Sequence, residues 1–324
     1  MTRPASVLIS TLLLALFFNV WAASANGGTA HTLFHAATQR SGARKTTTAA
    51  TLPAPARLRE SESRGLLAEV WVNGAGPFVF AVDTGAGANI LSERVAGAAR
   101  VRVETGGSGI RIGGLSGASV AGGRRAFIER LSLGSPENVL PARGLTIVAP
   151  GLPSDLDGVL DPTEAFSPLG YTIDLPRNLV AAFDPRTQPV RRGDVSSEGA
   201  VVEWLRDSGS RRPFVLLDGG RRALLDTGSA FGLAVTPDAA RSLGIIAGTE
   251  GRLREDTRDL AGGYVASRRI RPANVRLGAL ALRGVPTDLL VRADRGAPVL
   301  LGRDALRPFR LTFDPLNRLI RIEP

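Results

Sequence analysis

The chain has 324 residues with no cysteine, 40 Lys and Arg against 30 Asp and Glu, and a formal net charge of +10. The lack of cysteine excludes disulfides, thiolate catalysis and a lipid-modified N-terminus. The basic residues, nearly all arginine, are scattered singly or in pairs among only 5% aromatics, which favours solubility charge over a nucleic-acid face.

From the start, Arg3, an apolar stretch from Val7 to Val20 and the small residues Ala23-Ser24-Ala25 read as a secretory signal peptide, residues 1–25, cut after about Ala25. The apolar part is shorter than the ~20 residues of a membrane-spanning helix. A periplasmic or secreted location is expected, with no stable membrane insertion once the signal is removed. Residues 26–62 are rich in Ala, Thr, Ser, Gly, Arg and Pro without apolar periodicity, and read as a flexible linker or propeptide. His31 and His35 lie in it with no cysteine or nearby carboxylate to complete a site, so no metal and no cofactor is expected.

The next stretch pairs two β-prone runs, Leu66 to Val72 and Phe78 to Val82, around Asn73-Gly74. That is a hairpin pattern, and it runs into Asp83-Thr84-Gly85. The same unit recurs as Pro213 to Leu217, a turn at Asp218-Gly219-Gly220, and Arg221 to Leu225 ahead of Asp226-Thr227-Gly228-Ser229. The two motifs lie 143 residues apart, and Pro168/Pro308, Thr172/Thr312, Asp174/Asp314 and Leu179/Leu319 pair at an offset of 140. This is an internal duplication of a β-rich unit: a first copy over 63–185, a linker over 186–199 and a second copy over 200–324. Short helices are expected from Ser92, from Asp161-Pro162-Thr163-Glu164, from Thr236-Pro237 and from about Asp304. Arg252 to Asp259 reads as an exposed loop.

An aspartate at the end of an apolar strand, followed by Thr and Gly, sits on a tight interior turn. If the two turns meet on a pseudo-two-fold axis, Asp83 and Asp226 share a proton, one acting as acid while the other takes a proton from water. The paired motifs resemble the aspartic proteases, and the hairpin before Asp83 is most similar to the bacterial retropepsin-like members. The resemblance covers roughly residues 63–324 and implies an all-β, two-lobed fold and an aspartic endopeptidase with catalytic Asp83 and Asp226. It implies loop support from Thr84, Gly85, Thr227, Gly228 and Ser229, and an apolar-apolar-Gly segment behind the second loop at Leu301-Gly302. It also implies flaps that hold an extended peptide, placed at Thr105 to Gly114, including Gly107, Gly109 and Ile110, and at Ala261 to Val265, including Gly263 and Tyr264.

The first copy departs from the family pattern. Val159-Leu160 is followed by Asp161 where a glycine is expected, unless Gly158 serves in a shifted register. The expected partner is a peptide or protein substrate bound by a monomer. Two other readings compete: a non-catalytic peptide-binding module, and pairing of each copy with its counterpart in a second chain.

Overall fold

The computed structural model describes residues 51–324 apart from 62–63, 106–108, 118, 143, 196, 208, 247–250, 252, 260–262 and 294–295. The signal-peptide segment, both histidines, most of the linker and the flap residue Gly107 therefore lie outside the described residues. Strands dominate, with four short α-helices among the described residues, so the fold is all-β as expected.

The hairpin ahead of Asp83 forms from Gly65–Val72 and Ala75–Val82. Its turn residues Asn73 and Gly74 have φ of 49° and 85°, the left-handed pair that a two-residue turn matched to strand twist requires. Ser92, Asp161 and Thr236 each accept a backbone N–H in the first turn of their helices, and Pro162 and Pro237 occupy first-turn positions.

Each copy builds the same order of strands. The strand reaching the motif, Ala75–Val82 or Arg222–Asp226, pairs antiparallel with its hairpin partner, Gly65–Val72 or Phe214–Leu216. On its other side it pairs parallel with a distant strand, Gly158–Leu160 or Val299–Gly302. That distant strand lies antiparallel to the one leaving the motif, Asn89–Ser92 or Leu233–Val235. Each motif loop thus emerges between strands contributed from both ends of its copy, which fixes its position.

A six-stranded sheet joins the copies, with Gly170–Asp174 antiparallel to Arg310–Asp314 at its centre. Thr172 faces Thr312 directly, their hydroxyls 3.2 Å apart. Tyr171 stacks on Phe313 with ring centroids 4.7 Å apart, and both rings are buried. The turns beyond repeat in detail: Asp174 Oδ1 accepts from Arg177 N and Asp314 Oδ1 from Asn317 N. Asn178 and Arg318 both have positive φ, 52° and 53°. Both copies of one chain meet here, so assembling the two motifs needs no second chain.

Three expectations are corrected. Residues 51–61 are not a free linker: Ala56–Arg57 adds an edge strand to the six-stranded sheet and Arg59–Ser61 pairs with Gly65–Val72. Ala56 and Leu58 are buried, an alternation too short to read from sequence. Arg252 to Asp259 is not a loop, since Leu253–Arg258 is a strand paired with Tyr264–Leu277. Finally, Gly158 provides no shifted register: it pairs with Phe80, and a Cβ there would lie 2.5 Å from the Ile90 carbonyl oxygen.

Candidate active site

The two Asp-Thr-Gly loops meet back to back and hold each other through their threonines. Thr84 Oγ1 donates to the Leu225 carbonyl (2.6 Å) and accepts from Thr227 N (3.1 Å). Thr227 Oγ1 donates to the Val82 carbonyl (3.2 Å) and accepts from Thr84 N (3.2 Å). Both threonines are fully buried, so each hydroxyl stands in for water at two backbone groups of the opposite copy.

This grip brings the aspartates together. Each glycine lies against the carboxyl of the other motif: a Cβ on Gly85 would sit 2.8 Å from the Asp226 Cγ, and one on Gly228 would collide with the Asp83 carboxyl. Only glycine fits at either place. Asp83 Oδ1 accepts from Gly85 N at 2.7 Å and Asp226 Oδ1 from Ser229 N at 3.0 Å. Ser229 therefore supports Asp226 through its backbone, while its hydroxyl accepts from Phe231 N at 3.3 Å. Burial raises the pKa of both aspartates. Asp226 is raised further by the Asp83 charge, whereas Asp83 is drawn back by Gly85 N–H, Asp226, Gly228 N–H and the Arg303 cation. Both shifts favour the protonated form, more strongly at Asp226 than at Asp83.

What lies behind the loops differs between the copies. Leu301 and Gly302 stand beside Leu225 and Asp226 as expected, and a Cβ on Gly302 would lie 2.8 Å from the Ser229 carbonyl oxygen. Asp161, which follows Leu160 paired with Val82, takes the corresponding place in the first copy.

Arg303, next to Gly302, is a site residue that the sequence reading missed. It is buried, and its Nη1 donates to the Thr227 and Gly228 carbonyls at 3.1 and 3.2 Å. Glu60 lies 3.9 Å from its Nε and is held by Arg307, tying the N-terminal strand to the second motif. The available signal was an arginine directly after the apolar-apolar-Gly segment that ends at Gly302. Arg303→Met should cost about 2–4 kcal/mol, since two buried carbonyls lose charged donors. It should also raise the pH at which Asp83 takes up a proton, because a neighbouring cation favouring the carboxylate is gone. Thermal unfolding and pH titration of the purified variant check both.

Two hairpins, one from each copy, meet at their tips. The first pairs Ile110–Gly113 with Ser119–Phe127. Ile110 lies in its outgoing strand and Gly109 just before it, packed against Gly122, so the tip falls later than expected, at Leu115, Ser116 and Gly117. Ile112 packs on the same apolar cluster as Ala86 of the first motif loop, and Leu115 on one that includes Phe231 after the second. In the second hairpin Gly263 is at the tip and Tyr264 opens the returning strand, half exposed. The tips touch: Asp259 Oδ2 accepts from Ser116 N (2.9 Å) and Ser116 Oγ (2.6 Å), and Asp259 Oδ1 accepts from Gly263 N (3.0 Å).

Strand order and paired loops make this an all-β fold of the aspartic-protease kind. Residues 68–159, which include the first motif, match the family model described as aspartyl protease. The resemblance read from the motifs therefore holds over that stretch, and a protease domain is the general function it supports. The second motif lies outside the matched residues. No curated protein matches the chain.

Proposed function

We propose that this chain is an aspartic endopeptidase in which Asp83 and Asp226 share one proton and activate a water for attack on a peptide carbonyl. The observation that carries this reading is the carboxyl pair, Asp83 buried and Asp226 partly buried, assembled by the reciprocal threonine grip and favouring a single shared proton. Asp83, the more readily ionised member, takes a proton from the water as its oxygen attacks. Asp226 gives its proton to the carbonyl oxygen; the tetrahedral intermediate collapses as Asp83 passes the proton it took to the leaving amide nitrogen and Asp226 regains its own from the hydroxyl that becomes the carbonyl. Burial strengthens each of these proton transfers by excluding competing water. The hairpins, with Gly109, Ile110, Gly263 and Tyr264, are the segments that would pair with an extended peptide by strand-like hydrogen bonding. The signal-peptide pattern of residues 1–25 supports a periplasmic or extracellular enzyme.

The test is cleavage of a mixed peptide library across pH 3–8 by the chain from Asn26 onward. It is run with and without a statine-type transition-state inhibitor and beside Asp83→Asn. Cleavage abolished by both inhibitor and variant is the expected result. An intact fold that binds peptides without turnover at any pH would replace this reading with that of a binding module.

A further inference from the structure

We propose that Asp161 is a positioning residue for the first motif, its carboxyl holding the loop after Asp83 where the second copy relies on the backbone of Gly302. The inference rests on the protease reading and names a group that the reaction itself does not use.

The two places behind the loops are filled by different chemistry. In the second copy Gly302 N donates to the Gly232 carbonyl at 3.0 Å and Arg303 N to the Ser229 carbonyl at 2.9 Å. Backbone packs directly on backbone there, leaving no room for a side chain. In the first copy the Asp161 side chain is fully buried in that space. Its Oδ2 accepts from Gly87 N at 2.7 Å and its Oδ1 from Thr163 N at 2.8 Å, while Asp161 N donates to Asn89 Oδ1 at 3.1 Å. Gly87 has φ of +77° and closes the loop that begins at Asp83. One carboxyl therefore links that loop to the helix Pro162–Ala165, and removing it takes the acceptor from the buried Thr163 N–H and the partly buried Gly87 N–H.

The groups facing Asp161 are Asp83 at the motif, Glu164 on the helix, and Tyr171 on the central strand, with Arg211 near Glu164 and Tyr171. Burial first, and then the Glu164 and Asp83 charges, push Asp161 up to about 8. Below that pH it holds the loop as a neutral acid and adds no charge behind Asp83. Above it, a new negative charge appears there and disfavours ionisation of Asp83.

The experiment compares wild type, Asp161→Ala and Asp161→Asn by amide hydrogen exchange at Gly87 and by kcat and KM on a cleaved peptide. Exchange at Gly87 should accelerate at least about tenfold in Asp161→Ala. With the loop displaced, kcat should fall by about a hundredfold at little-changed KM. Asp161→Asn keeps the shape and one acceptor, so it should recover part of both. In wild type the Gly87 amide shift should move with a midpoint near pH 8, and in Asp161→Asn it should not. Gly87 exchange within twofold of wild type in both variants overturns the proposal, whether or not the chain cleaves peptides. Faster exchange with unchanged kcat overturns it as well. A wild type that cleaves nothing overturns the protease reading instead, and the exchange data still decide whether Asp161 holds the loop.

Discussion

Asp226→Asn is expected to lower peptide cleavage by at least about a thousandfold, in the upper part of the range for losing a positioned acid–base group. The amide resembles the protonated carboxyl in shape but can neither give up nor regain the shared proton. The same change should not destabilise the protein at neutral pH. In the folded chain Asp226 is raised well above its ordinary value by burial and by Asp83, so the native state binds a proton more tightly than the unfolded state. Its contribution to stability is therefore greatest below the unfolded carboxyl pKa of about 4, and is lost as pH rises from there through the folded value. Asparagine does not titrate, so the variant's melting temperature should gain on that of wild type between pH 3.5 and 7. Calorimetric scans at the two pH values, beside the cleavage assay, check both halves. A variant that unfolds earlier than wild type at pH 7 would contradict the proton assignment.

Thr84→Val is expected to be the most destabilising single change at the site. Valine has threonine's shape, so packing is kept and only the hydroxyl is lost. Two buried groups of the other copy are orphaned: the Leu225 carbonyl, bonded at 2.6 Å, and Thr227 N, bonded at 3.1 Å. At about 1–3 kcal/mol for each unsatisfied group, the cost is roughly 2–6 kcal/mol, against a total stability of about 5–15 kcal/mol for a typical domain. Because the grip also fixes the distance between the aspartates, cleavage should fall even in the fraction that remains folded. Denaturant unfolding of Thr84→Val and Thr84→Ser separates the contributions, with serine expected to lie close to wild type.

The features legible in sequence were those built from short-range chemistry. The Asn73-Gly74 turn, the Ser92, Asp161 and Thr236 caps and the apolar run ending at Asp83 each announce local structure, and the return of Asp-Thr-Gly after 143 residues pointed to the aspartic-protease resemblance. What escaped depends on distant partners. Arg303 earns its place through carbonyls some 75 residues earlier. Leu253–Arg258 carries charge along most of its length, and only its pairing with Tyr264–Leu277 makes it a strand. Residues 56–61 bury only Ala56 and Leu58 and are ordered by strands as far away as Leu179–Phe183. Asp161 stood out as a departure and as a helix cap, but its bond to Gly87, 74 residues away, is set by strand order.

The facing of Thr172 and Thr312 has a consequence for how the two copies differ. A surface on which equivalents meet at the axis and the residues on either side exchange partners is isologous, the kind by which identical subunits form a symmetric dimer. In such a dimer every substitution appears twice, so a carboxyl behind one loop would force a carboxyl behind the other. Here a covalent connection supplies the second copy at high effective concentration and removes that obligation. A carboxyl can stand behind the first loop where a glycine stands behind the second, and the Arg303 cation of the second copy can favour the ionised form of Asp83, giving a symmetric scaffold two unequal carboxyls.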